Sequence, residues 1–168
     1  MFQIGDYVVN ANNGVCRVDD IVMIEIPGSN TKSEYYRVVP TGEHAAKMFI
    51  PVNGKNQQIR PIMSKEEALE LIDDVARIKE TWVESDKMRE KTYKEAIFST
   101  DPKRLVSILK TMYQRSEERI AEGKKVTTID ERYFRIAEKN LHDELAFVLE
   151  MTPEEVRARI RSRVGAGR

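Results

Sequence analysis

Trp82 is the one tryptophan of the chain, and Lys87, Arg89, Lys91 and Lys94 follow it closely. An indole beside a run of cations has two physical uses. The flat ring can stack on a base or wedge against it while the cations hold phosphates. Alternatively the ring packs the joint between two domains, the commoner fate of a tryptophan. The charge around Trp82 is uneven. Residues 64–85 carry three basic and seven acidic side chains, net −4, whereas residues 86–115 carry eight basic and four acidic, net +4. The final twelve residues hold five arginines and no acid. Such blocks mark an interaction face, or simply a solvated helix surface.

Catalytic chemistry is harder to find. No nucleophile–base set stands out. His44 sits beside a turn and His142 falls in a helical stretch among carboxylates, and neither has the spacing of a metal site. His142 reads as a surface residue rather than a ligand. The pairs Glu66, Glu67 and Glu117, Glu118 lie in helical stretches, where solvated charge is the default. No glycine-rich phosphate loop or dinucleotide fingerprint is present. The expectation is a protein that is not an enzyme, with no catalytic residues, no metal and no cofactor.

Two different halves must position these residues. Residues 1–63 read as β structure. Short β-prone runs at 7–9, 15–26, 35–39, 47–52 and 58–62 are separated by turn chemistry at Asn10 to Gly14, Pro27 to Asn30, Pro40 to Gly42 and Asn53, Gly54. Several short strands in so few residues predict a small, strongly bent sheet or barrel, with edges available to a partner. At Ser64 the pattern changes. Ser64, Lys65, Glu66, Glu67 is a capping box, and residues 64–168 read as all-helical. The first helix is expected to bury Ala68, Leu69, Ile72, Val75 and Ala76 and to end near Thr81 and Trp82. The second starts near Ser85 or Asp86 and runs to about Phe98. Asp101 and Pro102 start the third, whose stripe is Leu105, Ile108, Leu109, Met112 and Tyr113, and Gly123 ends it. A fourth follows Thr127, with Tyr133, Ile136, Ala137, Leu141, Leu145 and Val148 inward. Thr152, Pro153 opens a last one, with Val156, Ile160 and Val164 along one side. The fold class is therefore α+β, a small N-terminal β-barrel followed by an all-α domain.

The chain has 168 residues, 40% of them apolar and 33% charged, with a formal net charge of zero. Zero net charge excludes a wholly basic nucleic-acid coat, so any such contact must use local patches. The longest apolar runs are too short to cross a bilayer. The opening MFQIGDYVV has neither the basic end nor the long apolar core of a signal peptide. The single Cys16, which reads as a small buried strand residue, fits a reducing cytoplasm.

The opening FQIGDYVV, the NGV that follows it, the later MFIPV and a helical half with one tryptophan near its start resemble the CarD/CdnL family. These are bacterial transcription regulators that bind RNA polymerase. The stretch DERYFRIAEKNLHDELAFVLEMTPEEV resembles the end of the Firmicutes-type branch. The resemblance implies a Tudor-like barrel over 1–63 that docks on the polymerase β subunit. It implies a helical domain over 64–168 at the upstream edge of the transcription bubble, stabilising the open promoter complex. There Trp82 matches a wedge in the minor groove, and Lys87, Arg89 and Lys91 match phosphate contacts that are largely blind to sequence. Arg132 is counted with them. The polymerase-facing strands match 22–26 and 47–50, which assigns Ile24, Lys47 and Phe49 to that interface. Positions that are basic in the other branch are Ile24 and Phe49 here, so the interface is expected to be more apolar. The interval from Trp82 to Pro102 is also several residues longer and opens with Glu84 and Asp86. The competing reading is a protein-interaction module whose helices are structural and touch no DNA.

Overall fold

The computed structural model describes residues 1–42, 46–54, 59–81 and 83–166, with the side chains of 164–166 excepted. Trp82, His44 and residue 58 lie outside the described residues, as does the side chain of Val164. The chain divides into two units, Met1–Ile62 and Met63–Arg168.

The first unit is one antiparallel sheet. Its strands are β1 (Tyr7–Asn10), β2 (Gly14–Glu25), β3 (Lys32–Pro40), β4 (Met48–Pro51) and β5 (Ile59–Pro61), in the order β4-β3-β2-β1-β5. The β1–β2 turn is built by its own residues. Asn10 Oδ1 accepts from the backbone N–H of Asn12 at 3.0 Å and of Asn13 at 3.1 Å, and Gly14 takes a φ of +69° that a side chain would strain. A register shift between Val18 and Asp20 leaves Asp19 as an extra residue in β2, the device that bends a strand. Alternation then sorts the two faces. Val8, Cys16, Val18, Tyr36, Val38, Val52 and Ile59 form the buried core, with Ile21, Met48 and Ile50 packed against it. Burial pushes the Cys16 thiol up to about 11.

The sheet is open, and the expected closed barrel is corrected on this point. β4 and β5 stand at opposite edges, and no ladder joins them among the described residues. They have four and three residues, so each offers only about 10–13 Å of ladder at roughly 3.3 Å per residue.

The second unit holds α1 (Lys65–Asp74), α2 (Asp86–Ser99), α3 (Pro102–Ala121), α4 (Thr128–Leu149) and α5 (Pro153–Ala166). Their starts follow local chemistry. Ser64 Oγ accepts from Glu67 N–H at 3.1 Å while Glu67 Oε2 accepts from Ser64 N–H at 3.0 Å, a complete capping box. Asp101 caps α3 with Pro102 behind it, Thr127 caps α4, and Thr152 Oγ1 accepts from Glu155 N–H at the head of α5. Met63 belongs to this unit and not to the sheet. Its side chain lies in the helical core, and its N–H donates to Glu144 Oε2 at 3.0 Å.

Several helix faces depart from expectation. α1 stops at Asp74, well short of residue 81; its last turn carries Asp73 and Asp74 and no basic residue, which opposes the helix dipole. Its buried row is Ala68, Leu71, Ile72 and Val75, with Leu69 44% exposed and Ala76 also exposed. Tyr113 and Ile136 are outward on α3 and α4 rather than core members. In each case one apolar residue adjoins a true stripe at a spacing that allows two phases. Met88 is also exposed, while Tyr93 and Ile97 join Ala96 in the core. His142 is 7% exposed, which corrects its reading as a surface residue.

Candidate functional site

Each unit presents one candidate surface. On the sheet, cross-strand partners share a face. Val18, Val38 and Met48 align inward, as do Ile21, Tyr36 and Ile50. The residues between them are therefore outward: Asp20 with Arg37 and Phe49, Val22 with Tyr35 and Pro51, Ile24 with Ser33. Ile24 and Phe49 thus lie on one outer face, connected by Val22, Tyr35 and Pro51. Phe49 is 50% exposed and Ile24 half-buried among its neighbours. At the bend, Arg37 Nε donates to Asp19 Oδ1 at 2.7 Å, and its Nη2 lies 3.7 Å from Asp20 Oδ2. The Asp19 bond, with both carboxylates, holds the Arg37 guanidinium above its ordinary range. The result is an apolar strip with a neutralised ion pair at its end. Lys47 is exposed, one residue before β4 rather than inside it.

On the helical unit, Lys87, Lys91, Lys94 and Phe98 line an open groove of about 400 Å³ along α2, with Glu90 and Glu95. Lys91 Nζ lies 3.9 Å from Glu95 and Lys94 Nζ 3.5 Å from Glu90. Among the described residues Lys87 has no such partner within 4.0 Å. Arg132 is exposed on α4, its guanidinium 5.6 Å from the Tyr133 ring centre. Tyr133 hydroxyl donates to Glu90 at 2.8 Å, which ties α4 to α2. That bond, then Lys94 and more weakly Arg132, hold the Glu90 carboxyl below its usual range. Lys94 and Arg132 therefore act on one carboxylate, so α2 and α4 share one electrostatic surface.

Arg89 does not share it. Its side chain is 16% exposed, and Nη2 donates to Asp86 Oδ1 at 3.1 Å. Asp86 also receives Arg115 Nη1 at 3.4 Å, and Arg115 Nε donates to Asp130 Oδ2 at 2.7 Å. Asp130 is 2% exposed and accepts the Tyr93 hydroxyl at 2.8 Å. Burial alone would push the Asp130 carboxyl up, but the bonds from Tyr93, Thr127 and Arg115 outweigh it and hold it low. Burial pushes the Tyr93 hydroxyl up to about 12. This chain of groups fixes the first two turns of α2 to α3 and α4. Among the described residues no cluster of three or more His, Cys, Asp or Glu side chains could hold a metal ion. Nor is any helix there long and apolar enough to cross a membrane.

Residues 2–63 match the family model of the CarD-like/TRCF RID domain, an RNA polymerase-interacting domain. That match covers the first unit, the RID domain of this chain. No match was found among curated proteins. The outer strip of the RID domain, with Ile24 and Phe49, is the surface that its two-residue alternation turns away from the core.

The structure brings Lys87, Lys91 and Arg132 to one side of the helical unit and sends Arg89 inward. The sequence does not single out Asp130, Glu144 or Tyr93 as organising groups. An acid in a helical stretch is solvated by default, and nothing local in the sequence says that Arg115, fifteen residues before Asp130, reaches it. The one available signal was Tyr93, a polar aromatic in an otherwise charged stretch.

Proposed function

We propose that the chain is a transcription regulator that docks on the β subunit of RNA polymerase and stabilises the open promoter complex. The observation that carries this reading is the RID domain with a half-exposed Phe49 in its outer apolar strip. Ile24, Phe49 and Lys47 make the polymerase contact, and the open sheet serves as a variant of the Tudor-like barrel. The helical unit, of the Firmicutes-type branch, meets promoter DNA at the upstream edge of the bubble. Trp82 wedges into the minor groove, Lys87, Lys91 and Arg132 hold phosphates, and Arg89 steadies the first turn of α2. No catalytic step, metal or cofactor enters, and the protein works where the polymerase does, in the cytoplasm.

The energetics favour this division. Wedging a ring between base pairs costs a few kcal/mol of unstacking, and a handful of phosphate contacts binds weakly at physiological salt. Tethering to polymerase raises the effective concentration of the helical unit at the fork, so weak contacts suffice. A net charge of zero then keeps the protein from scattering along DNA.

A second reading, a protein-interaction module without DNA contact, draws on the glutamates that pair with Lys91 and Lys94. Two full-length variants decide. Phe49→Glu is expected to lose binding to core polymerase. Trp82→Ala is expected to keep that binding while shortening the open-complex lifetime on a promoter. Normal polymerase binding by folded Phe49→Glu sinks the docking face. An unaltered lifetime with Trp82→Ala leaves the second reading in place.

A further inference from the structure

Lys87, Lys91, Lys94 and Phe98 stand at i, i+4, i+7 and i+11 on α2, one row along one helix face. At about 1.5 Å per residue the row is about 16 Å long. All four side chains are exposed, and the core takes Tyr93, Ala96 and Ile97 from another side of the helix. Phe98, 52% exposed, falls outside the phase of that buried stripe, so the fold does not account for its ring. The groove along α2 follows this row. Its two carboxylates flank the row. Glu90 accepts the Tyr133 hydroxyl from α4 at 2.8 Å and has Lys94 Nζ at 3.5 Å, and Glu95 has Lys91 Nζ at 3.9 Å. Three ammonium groups against two carboxylates leave the groove one positive charge in surplus.

We propose that this row is a contact for single-stranded nucleic acid, in which Lys87, Lys91 and Lys94 follow the phosphates and Phe98 stacks on an unpaired base. The proposal rests on the DNA-contacting reading above and names the strand that α2 takes at the edge of the bubble, where duplex gives way to unpaired bases. The chemistry of the row selects this occupant. An acidic peptide uses the lysines and leaves the ring in water. An apolar peptide covers the ring and strands the ammonium groups. A duplex offers phosphates but keeps its base faces stacked inside, away from a ring that lies among lysines. A single strand offers both at once, phosphates at regular intervals and base faces open to stacking. Stacking tolerates any base, in keeping with contacts that are blind to sequence.

The test uses the full chain with a fluorescent thymidine oligonucleotide of about 12 nucleotides and a hairpin duplex of similar length. At low salt the wild type is expected to bind the single strand about tenfold more tightly than the duplex. Phe98→Leu keeps an apolar side chain and loses the ring. It is expected to weaken single-strand binding about tenfold, with duplex affinity, salt slope and melting temperature unchanged. Phe98→Tyr is expected to bind as the wild type does. Lys91→Ala with Lys94→Ala is expected to flatten the salt slope for the single strand by about 1.4. Wild-type affinity for the oligonucleotide in Phe98→Leu overturns the stacking role, and an unchanged salt slope in the lysine variant overturns the phosphate role. Early unfolding of Phe98→Leu places the ring in the fold and overturns the proposal as well. So does a wild type that prefers the duplex, or one that binds neither probe. The wider DNA reading is judged separately, by the open-complex lifetime of Trp82→Ala, and survives each of these outcomes if that lifetime falls.

Discussion

The two units solve the same problem of stability by opposite means. The RID domain has a small apolar core and keeps the ion pair of Arg37 with Asp19 at the sheet surface. The helical unit has the larger core and buries charge inside it, with Asp130 and Glu144 at 2% and 1% exposure. Glu144 accepts the Met63 N–H, and Asp130 gathers Tyr93 and Arg115. Each unit can therefore lose different things. A sheet whose outer strip carries little of its folding energy can offer that strip to a partner. A helix packing held by buried carboxylates keeps α2 in one position relative to α3 and α4, at the risk of large losses when one member goes.

The largest expected effect follows from that risk. Asp130→Ala leaves Arg115 and Tyr93 without their shared acceptor. Breaking such a pair costs about 3 kcal/mol, near the low end of the buried range because Arg115 is partly exposed. A fall of about 10–20 °C in the melting of the helical signal is expected. A loss under about 1 kcal/mol would mean that water screens the network, and the contrast between the units would collapse.

Phe49→Glu tests the other side. The melting temperature is expected to hold, since the ring is half in solvent, while affinity for polymerase drops about thirtyfold or more. A destabilised protein would place Phe49 in the fold rather than in an interface. Ser64→Ala is smaller. It removes the capping box of α1 and is expected to cost about 1 kcal/mol in denaturant unfolding. No measurable loss would show that packing of Ala68 and Ile72, not the cap, starts this helix.

The smallest effect is one of pH. Burial holds the His142 imidazole below its ordinary value of 6.5, with Glu138 and Asp143 raising it and Arg157 and Arg161 lowering it. The folded state therefore prefers the neutral ring. Its contribution is fully present above the unfolded value and is lost as pH falls below it toward the folded one. Melting temperature is expected to decline between about pH 7 and 5 in the wild type, and more gently in His142→Gln. Equal slopes would show that His142 escapes protonation cost by reaching water.

The elements are written in local sequence. Turn chemistry at Asn10 to Gly14, the Ser64 capping box, and the caps at Asp101, Thr127 and Thr152 are local, because their hydrogen bonds close within a few residues. The two-residue alternation that turns Ile24 and Phe49 outward is local too. Packing between elements settles which face wins where two are possible, and which charges go inside. Leu71 rather than Leu69 faces the core because α1 packs on α4 and α5, which no spacing within α1 reveals. Arg89 turns to Asp86, Arg115 reaches Asp130, and Thr111 catches Thr81 across 30 residues of chain. A charge or hydroxyl on a helix is solvated by default, and only the approach of a second element, supplying a partner and excluding water, makes it structural.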